Sequence, residues 1–184
     1  MKKTVLTFGL IAGVMISFLM DGSLLLANKI GSGHNSMLLG YTMMVASFLL
    51  IYFGVRSYRD NTLGGEISFG RAFGCGILIA LITCVFYVAT WEIIYFGFMP
   101  HFMDSYWAAQ IHRVQASGHD PARIAARVAE IQHSQELYQN PFVNMAYTFI
   151  EPLPVGLIIT LISAALLRRK APTEPAAAPA IMHP

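Results

Sequence analysis

Glu92 lies inside the third long apolar run of the chain, in the string Tyr-Val-Ala-Thr-Trp-Glu-Ile-Ile-Tyr that covers residues 87–95. Charge is costly in hydrocarbon, so an acid there either serves chemistry or needs a partner. Asp21 in the first run and Glu151 in the fourth are acids of comparable placement. Asp21 falls about five residues before the outer end of its run, Glu92 about seven before Met99 and Glu151 about seven after Asn144, each roughly 7–11 Å below that end. The three carboxyls are therefore expected in one layer, with Glu92 and Glu151 in a common pocket and Asp21 at its rim. Asn144, Thr148 and Glu151 are spaced i, i+4, i+7 and share a helical face. Asn144, Thr148 and Tyr95 are the expected hydrogen-bond partners of the carboxyls. Pro152 and Pro154 should kink the fourth helix beside this stripe, freeing carbonyls that neighbours or water must satisfy. The chemistry open to such a cluster is proton or cation binding, or hydrogen-bonded glue between helices.

The elements that must position these residues follow from composition. Hydrophobic residues make up 55% of the chain and charged ones only 12%, with a mean hydropathy of +0.55. A soluble domain is usually about a quarter charged, so this is an integral membrane protein. A spanning helix needs about 20 predominantly apolar residues. Four stretches qualify, at about 4–27, 37–55, 69–99 and 144–167, giving an all-α four-helix membrane bundle over 1–170. A polar insertion at 100–141 separates the last two spans. Beyond Lys170, residues 171–184 are rich in Pro and Ala, lack the hydrophobicity to fold and read as a disordered tail.

Lys2, Lys3, Arg56, Arg59, Arg71, Arg168, Arg169 and Lys170 fall on one side of this arrangement. Lys29, Arg113, Arg123 and Arg127 fall on the other. The positive-inside rule then puts both termini in the cytoplasm and 100–141 in the periplasm, as expected of a multi-pass protein of a bacterial inner membrane. Arg56, Arg59, Arg71, Arg168, Arg169 and Lys170 are read as topology anchors that can also meet anionic lipid headgroups. The first run imitates a secretory signal, but it is long for one and bulky Leu25 is wrong for a cut after Ala27, so it reads as an uncleaved span. Cys75 and Cys84 are nine residues apart on one helix, about 13 Å along its axis, too far to bond to each other, and read as packing residues.

Small residues recur at four-residue spacing in Gly9, Gly13 and Ser17, in Gly70 and Gly74, and in Gly156, Thr160 and Ala164. Each stripe would let another helix come close. Gly64 and Gly65 mark a turn, and Ser68 is a candidate N-cap. The insertion reads as two amphipathic helices, about 103–116 and then from Pro121 after an Asp120 cap, forming a hairpin over the outer end of the bundle. His101, His112, His119 and His133 lie in it without the spacing of a ligand set, so they read as solvated.

The strings Phe-Gly-Val-Arg-Ser-Tyr-Arg-Asp, Ile-Ser-Phe-Gly-Arg-Ala-Phe, Thr-Trp-Glu-Ile-Ile-Tyr-Phe-Gly-Phe-Met-Pro and Thr-Phe-Ile-Glu-Pro-Leu-Pro-Val-Gly-Leu resemble a bacterial membrane-protein family catalogued as domain of unknown function 4199, from Lys2 to about Lys170. The resemblance implies a four-helix inner-membrane protein and brings no activity with it. From the residues, a structural, sensing or partner-binding role built on a buried carboxylate cluster is favoured. The alternative is a small oligomeric proton- or cation-coupled transporter or channel component. Catalysis ranks third, because no Gly-x-Ser-x-Gly, His-Glu-x-x-His or paired-aspartate motif is present. Neither cofactor nor metal ion is expected. The expected partners are the lipid bilayer and a second copy or another membrane protein, with no nucleic acid.

Overall fold

A computed structural model describes the backbone of residues 1–30 and 34–169, and the side chains of 1–24 and 38–169. The expected tail and Lys170 lie outside what it describes, as do the side chains of Leu25, Ala27 and Lys29. Seven α-helices appear among the described residues: α1 Lys2–Ile30, α2 His34–Thr62, α3 Phe69–Glu92, α4 Asp104–Gln115, α5 Pro121–Tyr138, α6 Pro141–Ile150 and α7 Leu153–Leu167. No strand accompanies them, only an isolated bridge between Ile67 and Arg169. Four stretches are long and apolar enough to cross a membrane: Lys2–Leu24, Leu38–Thr62, Phe69–Phe98 and Pro141–Leu167.

Local chemistry explains most boundaries. Gly64 and Gly65 take φ values of 67° and 96°, which side-chain-bearing residues rarely adopt, and so turn the chain between α2 and α3. The Ser68 side chain then accepts from the Arg71 amide and caps α3. Asp120 caps α5 ahead of Pro121, and Asn140 caps α6 ahead of Pro141. The fourth span is two helices, broken at Glu151 and Pro152 because Pro152 and Pro154 cannot donate to the preceding turn. The boundary expected at about residue 55 is wrong by seven residues: α2 continues to Thr62. Its last turns are polar, so hydropathy ends before the helix does.

After Glu92 the third span changes winding, and Ile93–Phe98 form a π-helix. The Met99 amide bonds to the Ile94 carbonyl five residues back. This wider winding leaves Tyr95 buried at 1% exposure between exposed Ile93 and Phe96.

In the bundle α3 is central and packs on α1, α2, α6 and α7, while α2 packs on α1, α3 and α7. Glycines set the spacing. A Cβ on Gly9 would meet Ile82 at 2.9 Å and one on Gly13 would meet Phe86 at 2.5 Å, while the Ser17 and Thr90 hydroxyls lie 2.6 Å apart. The first small-residue stripe thus seats Ile82, Phe86 and Thr90, one turn after another. Gly156 sits against Phe48 and Ala80, and Thr160 against Gly76. The expected close contact at Gly70 and Gly74 is absent, since nothing lies within 4 Å of a Cβ at either; that stripe faces outward.

The core runs through Ile16, Phe48, Ile51, Val55, Ile79 and Ala80. At the arginine-rich end, Ile67 and Arg169 exchange backbone hydrogen bonds of 3.2 and 3.0 Å, tying the α2–α3 turn to the exit of α7. At the opposite end α4 packs on α5, and α5 touches α6.

Candidate functional site

Where α3, α5 and α6 meet, polar side chains and rings form a joint. Trp91 Nε1 donates to Asn144 Oδ1 at 3.1 Å and to the Tyr138 hydroxyl at 3.2 Å. Asn144 Nδ2 donates to the Tyr138 carbonyl at 3.2 Å, and Thr148 donates to Asn144 Oδ1 at 3.1 Å. Gln139 donates to the Tyr95 hydroxyl at 3.1 Å. Rings surround these bonds: Trp91 stacks on Tyr95 at 5.7 Å, and Tyr138 meets Tyr95 and Trp107 edge-on at 5.5 and 6.0 Å. Asn144 is fully buried, so its bonds are made away from water. Burial also pushes the Tyr138 phenol above the ordinary tyrosine range, against the hydrogen bond from Trp91, and keeps it neutral.

Asn144, Thr148 and Tyr95 were expected to serve the carboxyls, and they serve Trp91, Tyr138 and Gln139 instead. Trp91, Tyr138, Gln139 and Tyr87 are the contributors that sequence reasoning missed. The available signal was spacing: Tyr87 and Trp91 are one turn apart on α3, and Tyr138 stands just before the Asn140 cap.

The common pocket expected for Glu92 and Glu151 is corrected, because the two border different cavities. Among the described residues no three His, Cys, Asp or Glu side chains are placed to hold a metal ion together. Glu151 accepts a 3.0 Å hydrogen bond from the Tyr87 hydroxyl. It borders a cavity of about 160 Å3 against α1 and α2, with Ser23, Tyr41 and Met44 on its walls. Glu92 borders a different groove, between α3 and α6, lined by Val85, Val88, Met145 and Phe149. Asp21 is exposed. Equal heights were inferred from residue counts, but facing is set by helix rotation: Glu151 meets Tyr87 and Asn144 meets Trp91 on α3, while Glu92 faces the groove beside Met145 and Phe149.

Other residues fall as follows. Arg56 and Arg59 lie 3.6 and 2.6 Å from Asp60, so part of their charge is met within α2. Arg71, Arg168 and Arg169 are exposed. Cys75 and Cys84 are buried free thiols. His101 contacts Asp104 at 2.9 Å on the surface. Between α4 and α5 an open cleft of about 560 Å3 is lined by Arg113, Arg123 and Arg127 with Ser117 and His119; Arg127 is paired with Glu130 at 2.5 Å.

Four apolar helical stretches of spanning length around a packed core define the class, a multi-pass membrane protein. The chain belongs to the family described as "Protein of unknown function (DUF4199)", which matches residues 7–169. Comparison with curated proteins and comparison with solved structures give no match.

Proposed function

We propose that this chain is a bacterial inner-membrane protein that works as a partner-binding scaffold, with both termini in the cytoplasm and the α4–α5 hairpin in the periplasm. The orientation is supported by the eight-to-four division of Lys and Arg between the two ends. The observation that carries the reading is the joint of Trp91, Tyr138 and Asn144, whose buried bonds fix the foot of the hairpin to α3 and α6. Neither α4 nor α5 has a fully buried residue, so the hairpin does not make a core of its own. Its fixed foot and its cleft of arginines suit the presentation of a surface to another molecule. Partners with acidic or phosphorylated surfaces match the cleft.

A photo-crosslinking residue placed at Arg113 or at Ile124 in living cells tests this. A discrete adduct with a second protein is expected from either position. Absence of adducts, together with proton flux through the purified protein in liposomes, overturns the scaffold reading and installs a second one. That second reading is a small oligomeric proton- or cation-coupled transporter or channel component, and the Tyr87 and Glu151 pair beside its cavity favours it. Under it, Tyr87→Phe should change the flux.

A further inference from the structure

Glu92 is left unserved by its own chain. Its Oε1 is buried and has no hydrogen-bond partner. The side chain borders an open groove of about 650 Å3 whose other walls include Val85, Val88, Ala89, Met145, Ala146 and Phe149. Every one of those walls is apolar, so the groove supplies no donor. Trp91 donates to Asn144 and Tyr138, and Gln139 to Tyr95; Trp107 Nε1, the buried donor at this joint without a partner, is not among the groove's walls. An acid in such a groove calls for a donor that comes from outside the chain.

Position along α3 narrows what that donor is. Glu92 follows exposed Arg71 by twenty-one residues, roughly 32 Å at 1.5 Å per residue, which is about the thickness of a hydrocarbon core. Val85 lies seven residues closer to Arg71, roughly 10 Å deeper. The groove therefore has its acid near the outer end of the span and apolar walls running inward from it. Ala89 and Ala146 keep it wide between the two helices. A phospholipid has the same division, polar at the interface and apolar below. A headgroup without a cation would meet the carboxylate unfavourably, and a quaternary ammonium has no N–H to give.

We propose that this groove binds a phospholipid with a primary-amine headgroup, its ammonium donating to the Glu92 carboxylate and an acyl chain lying along Val85, Val88 and Phe149. Phosphatidylethanolamine and phosphatidylcholine of identical acyl chains differ at that ammonium and are the probes. Native mass spectrometry of the purified full chain, titrated with each lipid, should show the ethanolamine lipid retained roughly tenfold better, the scale of one charge-assisted hydrogen bond. Glu92→Gln keeps the shape and should bring the ratio close to one, with an unchanged helical signal and melting temperature. Ala146→Phe fills the groove and should reduce retention of both lipids. Equal retention by the natural chain, a preference that survives Glu92→Gln, or undiminished retention in Ala146→Phe overturns the proposal. So does loss of a chain-to-chain species in Glu92→Gln, because the groove is then covered by a second copy.

Discussion

Asn144 does more at this joint than any acid in the chain: it accepts from Trp91 and Thr148 and donates to the Tyr138 carbonyl. Asn144→Leu keeps the bulk but leaves buried groups unpaired, and it should cost about 1–3 kcal/mol. Unfolding in lipid–detergent micelles followed by tryptophan fluorescence checks this, because Trp91 and Trp107 both lie against this joint. Tyr138 gives the joint an alkaline limit. Its phenol holds its proton more tightly in the folded chain than in the unfolded one, where the value is near 10.0. Its contribution is complete below that value and is lost as pH rises through the higher folded one. Tyr138→Phe should therefore flatten the alkaline arm of the stability profile. The pairing of Asn144 with Thr148 was readable from i, i+4 spacing, which fixes neighbours on one helix. The destinations of Glu92 and Glu151 were not readable, since those depend on how far each helix is turned about its axis.

The same distinction holds for the helices. Three small-residue stripes were visible in the sequence, and spacing alone treats them as equivalent. The structure fills two of them, with Ile82 and Phe86 against Gly9 and Gly13, and with Phe48 and Ala80 against Gly156. Gly70 and Gly74 have no such neighbour. A stripe shows where a helix can be approached; the complementary ridge on another element decides whether it is. Gly13→Ala should thus cost about 1–3 kcal/mol through overpacking against Phe86. Gly74→Ala should be neutral or stabilising by up to about 1 kcal/mol, because alanine is the better helix former and meets nothing. Titration of both variants with a denaturing detergent, read by circular dichroism, separates the two outcomes. The proline break was readable too, as the rigid ring dictates it. The extension of α2 to Thr62 was not, because its polar end carries a helical signal without a hydrophobic one.

For the whole molecule, composition and run lengths were enough for an all-helical chain with four spanning helices, since each is a local property of twenty or so residues. The convergence of distant side chains is a property of the assembled bundle, and there the expected acid cluster failed. The two ends of the bundle give the orientation a direct test. Ser117→Cys should react with a membrane-impermeant thiol reagent added outside spheroplasts, and Thr62→Cys only after the membrane is opened. The reverse pattern would invert the proposed topology. The π-helix at Ile93–Phe98 has a consequence for how this chain tolerates changes of length. A π turn holds one more residue than an α turn while both flanks keep their alignment, so it behaves as a stored insertion. Deleting a residue within 93–98 should let the winding relax to a regular helix and leave the hairpin where it is. The same deletion near Thr83 would rotate everything beyond it by about 100°. Variation in length among related chains should accordingly gather just past Glu92 and be scarce through the middle of α3.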